Sequence, residues 1–206
     1  NILKKLDVDN RLDDLAYNSN TESYEYYLKG KYKYDKRKNI EDIALAIGLL
    51  EKAIELDDNL LRAKIELGWV YGRELEHDKA MGMYNIVIRK AEEMGDKHNL
   101  LIAIRKMGIV YSKRGKKEKA LEYYTQSLKI ARDIGDKISV GYALNNIGIL
   151  YYFQSQYDKS LDFNTKALNI KEEMGQKSSM INNLDMIGDI YYHSKNDKEK
   201  AMEYYT

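Results

Sequence analysis

Among the side chains whose chemistry could serve recognition are two adjacent amides, Asn145 and Asn146, and cations that include Arg62, Arg73, Arg105, Lys106 and Lys113. A carboxamide both donates and accepts, so an asparagine can hold the backbone of an extended peptide whatever its side chains. The same two amides could instead be solvated or bond to a neighbouring helix, and the residues alone leave both readings open. Guanidinium forks suit an acidic side chain or a terminal carboxylate. A solvated charged face, paired in part with Glu66, accounts for the cations equally simply. Trp69, the only tryptophan, is either an exposed aromatic anchor or a half-packed ring.

Bond-making chemistry has no comparable support. The sequence has no cysteine for a nucleophile, no His-Glu-x-x-His metal signature, and no glycine-rich phosphate loop followed by Lys-Ser or Lys-Thr. His77, His98 and His193 stand at unit-scale separations, which is a poor metal triad. The expectation is a chain that is not an enzyme and carries no cofactor or metal. With 34 Lys and Arg against 33 Asp and Glu, the net charge of +1 gives no broad cationic field for nucleic acid or a membrane surface. No apolar run approaches the ~18 residues that would cross a bilayer. The lack of cysteine fits a reducing compartment, and a cytoplasmic location is expected.

The elements that would position these residues follow from a repeat. Gly68, Gly108, Gly148 and Gly188 recur every 40 residues, each followed three positions later by Tyr71, Tyr111, Tyr151 or Tyr191. Self-similarity at such a period marks stacked supersecondary units that share one core. A second column, Asn59, Asn99, Ser139 and Ser179, contains residue types that accept from free amides at helix starts, and is expected to mark where first helices begin. Gly95, Gly135 and Gly175 are placed for helix exits. Ala80, Ala120 and Ser160 open a second helix in each unit, followed on one face by Met81, Leu121, Leu161 and Ile88, Leu128, Leu168. The polar breaks 76–78, 115–117, 154–156 and 195–197 fit only tight antiparallel turns. Units are expected at about 21–60, 61–100, 101–140, 141–180 and 181–206, after a lead-in helical segment over 1–20. Ala201 follows Gly188 by 13 positions rather than 12, a slip expected in a loop.

Leu67-Gly68 with Tyr71 and then Ala80 resembles the Leu-Gly, Tyr and Ala positions of the tetratricopeptide repeat, and the match recurs at 107–120, 147–160 and 187–201. The 40-residue units ending in Gly-Asp-Lys or Gly-Gln-Lys look like the long-helix variety found in kinesin light chains, spindle-orientation adaptors and bacterial signalling proteins. The resemblance implies an all-α fold, a right-handed superhelical solenoid of antiparallel helix pairs whose first helices line a concave groove. It places in that groove Arg62, Ile65, Glu66, Trp69 and Arg73 of one unit, and Arg105, Lys106, Ile109 and Lys113 of the next. Tyr142, Asn145, Asn146, Ile149, Tyr152 and Phe153 follow, then Asn182, Asp185, Met186, Asp189, Tyr192 and His193. Related repeats use an asparagine at the Asn146 position to grip a peptide backbone, whereas Glu66, Lys106 and Met186 stand at that position in the other units. The Gly and Tyr columns are expected to pack helices rather than line the groove.

The function implied is a protein-interaction scaffold that binds a partner peptide or protein segment, without nucleic acid or membrane. Glu22–Gly30, followed by Glu51–Asp57, is similar to segments that open repeat regions behind bacterial cyclases, kinases and DNA-binding modules. The alternative is therefore a peptide-sensing domain that controls an attached output domain in a longer polypeptide. Self-association through Met202, Tyr204 and Tyr205 is a third expectation.

Overall fold

The computed structural model describes residues 21–175 and 177–205; the expected lead-in segment over 1–20 lies outside the described residues. These residues form ten helices and, among themselves, no strand: α1 Thr21–Asp35, α2 Ile40–Leu56, α3 Leu61–Arg73, α4 His77–Met94, α5 Lys97–Lys113, α6 Lys117–Asp133, α7 Lys137–Tyr152, α8 Tyr157–Glu173, α9 Lys177–His193 and α10 Lys198–Tyr205. The all-α helix-pair repeat is as the sequence implies. The chain divides into two compact units, residues 1–90 and 91–206, and the division falls within α4.

In the first unit α1 and α2 form one hairpin, and α3 packs on both. Asn39 caps α2, its side chain accepting from the Asp42 amide at 2.9 Å. Ala46, Leu50 and Ala53 of α2 are fully buried. Asp58, after α2, gathers two ammonium groups. Lys64 donates to its carboxylate at 2.6 Å and to its carbonyl at 2.7 Å, and Lys90 donates to the same carboxylate. The two lysines hold the Asp58 carboxyl down to about 2.

The second unit contains the hairpins α5/α6, α7/α8 and α9/α10. Helix termini explain their sharp junctions. Gly95 and Gly135 adopt φ values of 69° and 70°, the left-handed region that glycine enters without Cβ strain. The next amides, of Asp96 and Asp136, reach back to the Ala91 and Ala131 carbonyls at 2.8 and 2.9 Å, the six-to-one bond of a Schellman ending. Asp96 and Asp136 then cap the following helix, accepting from the Asn99 and Ser139 amides at 2.9 and 3.0 Å. This corrects the expected capping column. Asn99 and Ser139 sit in the third helical position and donate back to the Asp carboxylates at 2.6 and 2.8 Å, and the first helices begin at 97 and 137 rather than near 100 and 140. Asn59 does not cap α3 either; its side-chain oxygen accepts from Lys90.

The Gly and Tyr columns pack helices as expected. A Cβ at Gly68, Gly108 or Gly188 would lie 2.7, 2.6 or 2.5 Å from the ring of Tyr84, Tyr124 or Tyr205. Glycine thus lets a second-helix tyrosine lie flat across the first helix. Tyr71, Tyr111, Tyr151 and Tyr191 each stand beneath a lysine, Lys79, Lys119, Lys159 and Lys200, at 4.5–5.5 Å from the ring centre. The extra residue before Ala201 is absorbed where α9 ends. Left-handed turn residues stand at Gly115 and Ser155 but next at Asn196, one place beyond the repeat spacing.

Candidate functional site

First helices of the second unit touch in sequence, α5 on α7 and α7 on α9, so the residues they present share one face. Repeat spacing gives that face a fixed register. Arg105, Asn145 and Asp185 are 40 residues apart and occupy equivalent turns of α5, α7 and α9. Lys106, Asn146 and Met186 form the neighbouring column.

At the α5 end the Arg105 guanidinium lies 5.2 Å from the Tyr142 ring centre, a cation over an aromatic face. Tyr142 is partly exposed, and the Lys171 ammonium approaches the same ring at 5.8 Å. Lys106 is half-buried. In the middle, Asn145 is only 8% exposed, and its Oδ1 is buried without a hydrogen-bond partner. The Nδ2 of Asn146 is likewise buried and unpartnered. One acceptor and one donor on adjacent residues are therefore shielded from solvent and unpaired, although buried polar atoms are ordinarily paired. At the α9 end Asn182 and Asp185 are exposed, and half-buried Asp189 accepts from the Tyr205 hydroxyl at 2.8 Å. Tyr152 packs edge-on against Phe153 and Tyr157 at 5.7 and 5.6 Å. Burial raises the Tyr152 phenol, with Asp189 and Tyr157 adding to the rise. Burial and the Asp189 bond push Tyr205 up to about 12.

The predicted residues of the first unit form a separate group. Arg62 and Glu66 are half-buried. Burial raises the phenol of Tyr27 on α1, with Glu66 reinforcing the rise and Arg62 opposing it, so both charges act toward α1. Trp69 is half-buried, with the exposed Arg73 guanidinium 5.7 Å from its ring. That is the half-packed reading of the tryptophan. The structure thus brings together Arg105 with Tyr142; Arg62, Glu66, Trp69 and Arg73 belong to the other unit.

Sequence reasoning passed over three buried polar residues beside this face, Asn164, Lys171 and Asn183, which are 0, 3 and 0% exposed. Lys171 donates to the Ser179 carbonyl at 2.7 Å and to Asn183 Oδ1 at 2.5 Å. Asn183 donates to Asn164 Oδ1 at 2.9 Å, and Asn164 donates to the Ser160 carbonyl, also at 2.9 Å. Ser160 in turn donates to the Gly148 carbonyl at 2.8 Å. Burial holds the Lys171 amine below its ordinary range. The signal was present in the repeat itself. Asn164 breaks a column of Tyr84 and Tyr124, Lys171 a column of Ala91 and Ala131, and Asn183 a column of Ala63, Ala103 and Ala143.

A family model described as Tetratricopeptide repeat matches residues 70–133 and 102–173, and a second of the same description matches 181–206. No curated protein matches the sequence. Among solved structures, BtubC (BKLC) from P. vanneervenii aligns with a TM-score of 0.66 at 18% identity, covering 89% of this chain and 87% of that one. A Rap protein complexed with Competence and Sporulation Factor aligns with a TM-score of 0.76 at 19% identity, over 89% of this chain and 52% of that one. Aspartyl phosphate phosphatase F from Bacillus subtilis aligns with a TM-score of 0.76 at 19% identity, over 89% and 48%. The chain spans about half the length of the latter two, and at such identities the likeness is one of fold. The repeat register, the glycine-on-tyrosine packing and the matched segments agree: the chain belongs to the tetratricopeptide repeat family.

Proposed function

We propose that the chain is a non-catalytic interaction module that holds an extended segment of a partner protein against the first helices of its second unit. The observation that carries this reading is the pair of unpaired amide atoms, Asn145 Oδ1 and Asn146 Nδ2. An unpaired buried polar group costs on the order of 1–3 kcal/mol. Both atoms are shielded from solvent, so a strand-like backbone, which offers an amide N–H and a carbonyl, would satisfy them once the two side chains turn outward. A helical ligand would not, since its backbone groups are already paired within it. Tetratricopeptide repeats and the Rap-type structural neighbours support an interaction scaffold in the broad sense. No described helix is long and apolar enough to cross a membrane, and a cytoplasmic partner is the proposed one.

A second reading, a sensory arm that controls an attached cyclase, kinase or DNA-binding domain in a larger bacterial signalling protein, is favoured by one comparison. The Rap structure holds Competence and Sporulation Factor within a chain about twice the length matched here. Both readings use the same face and differ in what it is attached to.

The test uses peptides of roughly 12 residues, long enough to cross three helices in extended form, enriched on the protein from a random display library. Asn145→Ala with Asn146→Ala is expected to weaken the best of them about 100-fold, the loss of two hydrogen bonds, with an unchanged circular dichroism spectrum. Unchanged affinity would remove these amides from the site.

A further inference from the structure

We infer that the occupant of this face is a short extended segment with opposite charges at its two ends, a carboxylate over α5 and an ammonium or guanidinium over α9. The inference rests on the peptide-binding reading above and specifies its ligand. Its basis is one register position read across three successive helices. Arg105 on α5, Asn145 on α7 and Asp185 on α9 pass from cationic through neutral to anionic at a 40-residue spacing.

Neighbouring positions repeat the trend. Lys106 stands beside Arg105, and Asp189, one turn beyond Asp185, adds a second carboxylate where α5 and α7 have Ile109 and Ile149. Both ends also carry aromatic surface, Tyr142 beside Arg105 and Tyr205, whose hydroxyl donates to Asp189. An acidic group entering over Arg105 meets a guanidinium already oriented by the Tyr142 ring, which lowers the ordering cost of a fork-type contact. A cationic side chain entering over Asp185 and Asp189 meets carboxylates and a phenol ring, which suit its charge and its methylene stem.

The neutral middle has its own role, because Asn145 and Asn146 read backbone and tolerate any side chain there. Packed helix axes stand ~8–10 Å apart, so the two charged ends lie roughly 16–20 Å apart. Extended chain covers that in about five or six residues. Charge complementarity is thus what commits the face to a bipolar peptide rather than to a uniformly acidic, basic or apolar one.

The experiment repeats the display selection on three forms of the protein. Wild type is expected to enrich peptides bearing an acidic and a basic residue about five or six positions apart. Arg105→Glu, made together with Lys106→Glu, should enrich peptides that are basic at both ends. Asp185→Lys, which leaves Asp189 beside the new cation, should abolish the enrichment for a basic residue at that end. Each change should weaken a wild-type-selected peptide about tenfold, an effect that shrinks in high salt. Circular dichroism melting of each variant confirms that it is folded, and Asp185, being exposed, supplies the arm least able to disturb packing. Wild-type peptides without charge bias, or variants that select the same peptides as wild type, would overturn the inference. If such unbiased peptides still lose binding to the Asn145→Ala, Asn146→Ala protein, the amide site stands and only its charge selectivity falls. Failure of wild type to enrich any peptide would overturn both.

Discussion

Two seams of the second unit occupy the same place in the repeat and are built oppositely. Where α6 meets α7, Tyr124, Ala131 and Ala143 are 4, 0 and 0% exposed, and Tyr124 and Ala143 pack in one apolar cluster. Where α8 meets α9, the positions 40 residues later are Asn164, Lys171 and Asn183, equally buried but joined by hydrogen bonds from Lys171 through to Ser160. The apolar seam is held by area removed from water, and its members contribute nearly independently. The polar seam holds only as a set, since each member completes the hydrogen bonding of the next. Its ammonium donates to two neutral oxygens, the Ser179 carbonyl and Asn183 Oδ1, with the Tyr142 ring nearby. The repeat fixes where residues meet and leaves the chemistry of the meeting open.

The contrast is most easily broken by removing one link. Asn183→Ala leaves the Lys171 ammonium and the Asn164 amide short of partners, and should cost about 3 kcal/mol in urea unfolding. A loss below about 1 kcal/mol would mean that the seam is not a coupled network. Converting the whole set to its apolar counterpart, Asn164→Tyr, Lys171→Ala and Asn183→Ala together, should instead be neutral or stabilise by about 1–2 kcal/mol. Such a reversal of sign between single and triple changes is the mark of coupling.

A smaller effect is expected from pH. Lys171 has its folded pKa lowered from 10.5 by burial, so the folded protein releases this proton before the unfolded chain does. Between the lowered value and 10.5 the unfolded chain binds more protons, and stability rises with pH; below that window the cost of the buried charge is present in full. Subtracting the Lys171→Met profile from that of wild type should reveal a rise confined to this alkaline window. A flat difference curve would contradict it.

Much of the fold could be read from the chain because the repeat states it several times over. Gly108 and Tyr111 stand at the positions their spacing requires, and Gly95 and Gly135 end helices as a glycine with positive φ should. The capping residue was misplaced for a physical reason. Asp96 and Asp136 close one helix and cap the next in a single step, so no spacer separates exit from start, and Asn99 and Ser139 looked like caps because they bond to the true ones. The site was half legible. Asn145 and Asn146 announced themselves by residue type, but their unpaired atoms depend on what surrounds them, which periodicity does not encode. Lys171 is not legible from the repeat, whose pattern marks what recurs and not the unit that departs from it.

Peptide binding at this face requires that a backbone take up Asn145 Oδ1 and Asn146 Nδ2, which are buried and without a hydrogen-bond partner in the peptide-free chain. Side-chain amide resonances of nitrogen-15-labelled protein, assigned through Asn145→Gln and Asn146→Gln, report on this directly during titration with a selected peptide. Both resonance pairs are expected to shift on binding. Saturating peptide that leaves both amides unmoved while other resonances of the second unit shift would contradict it.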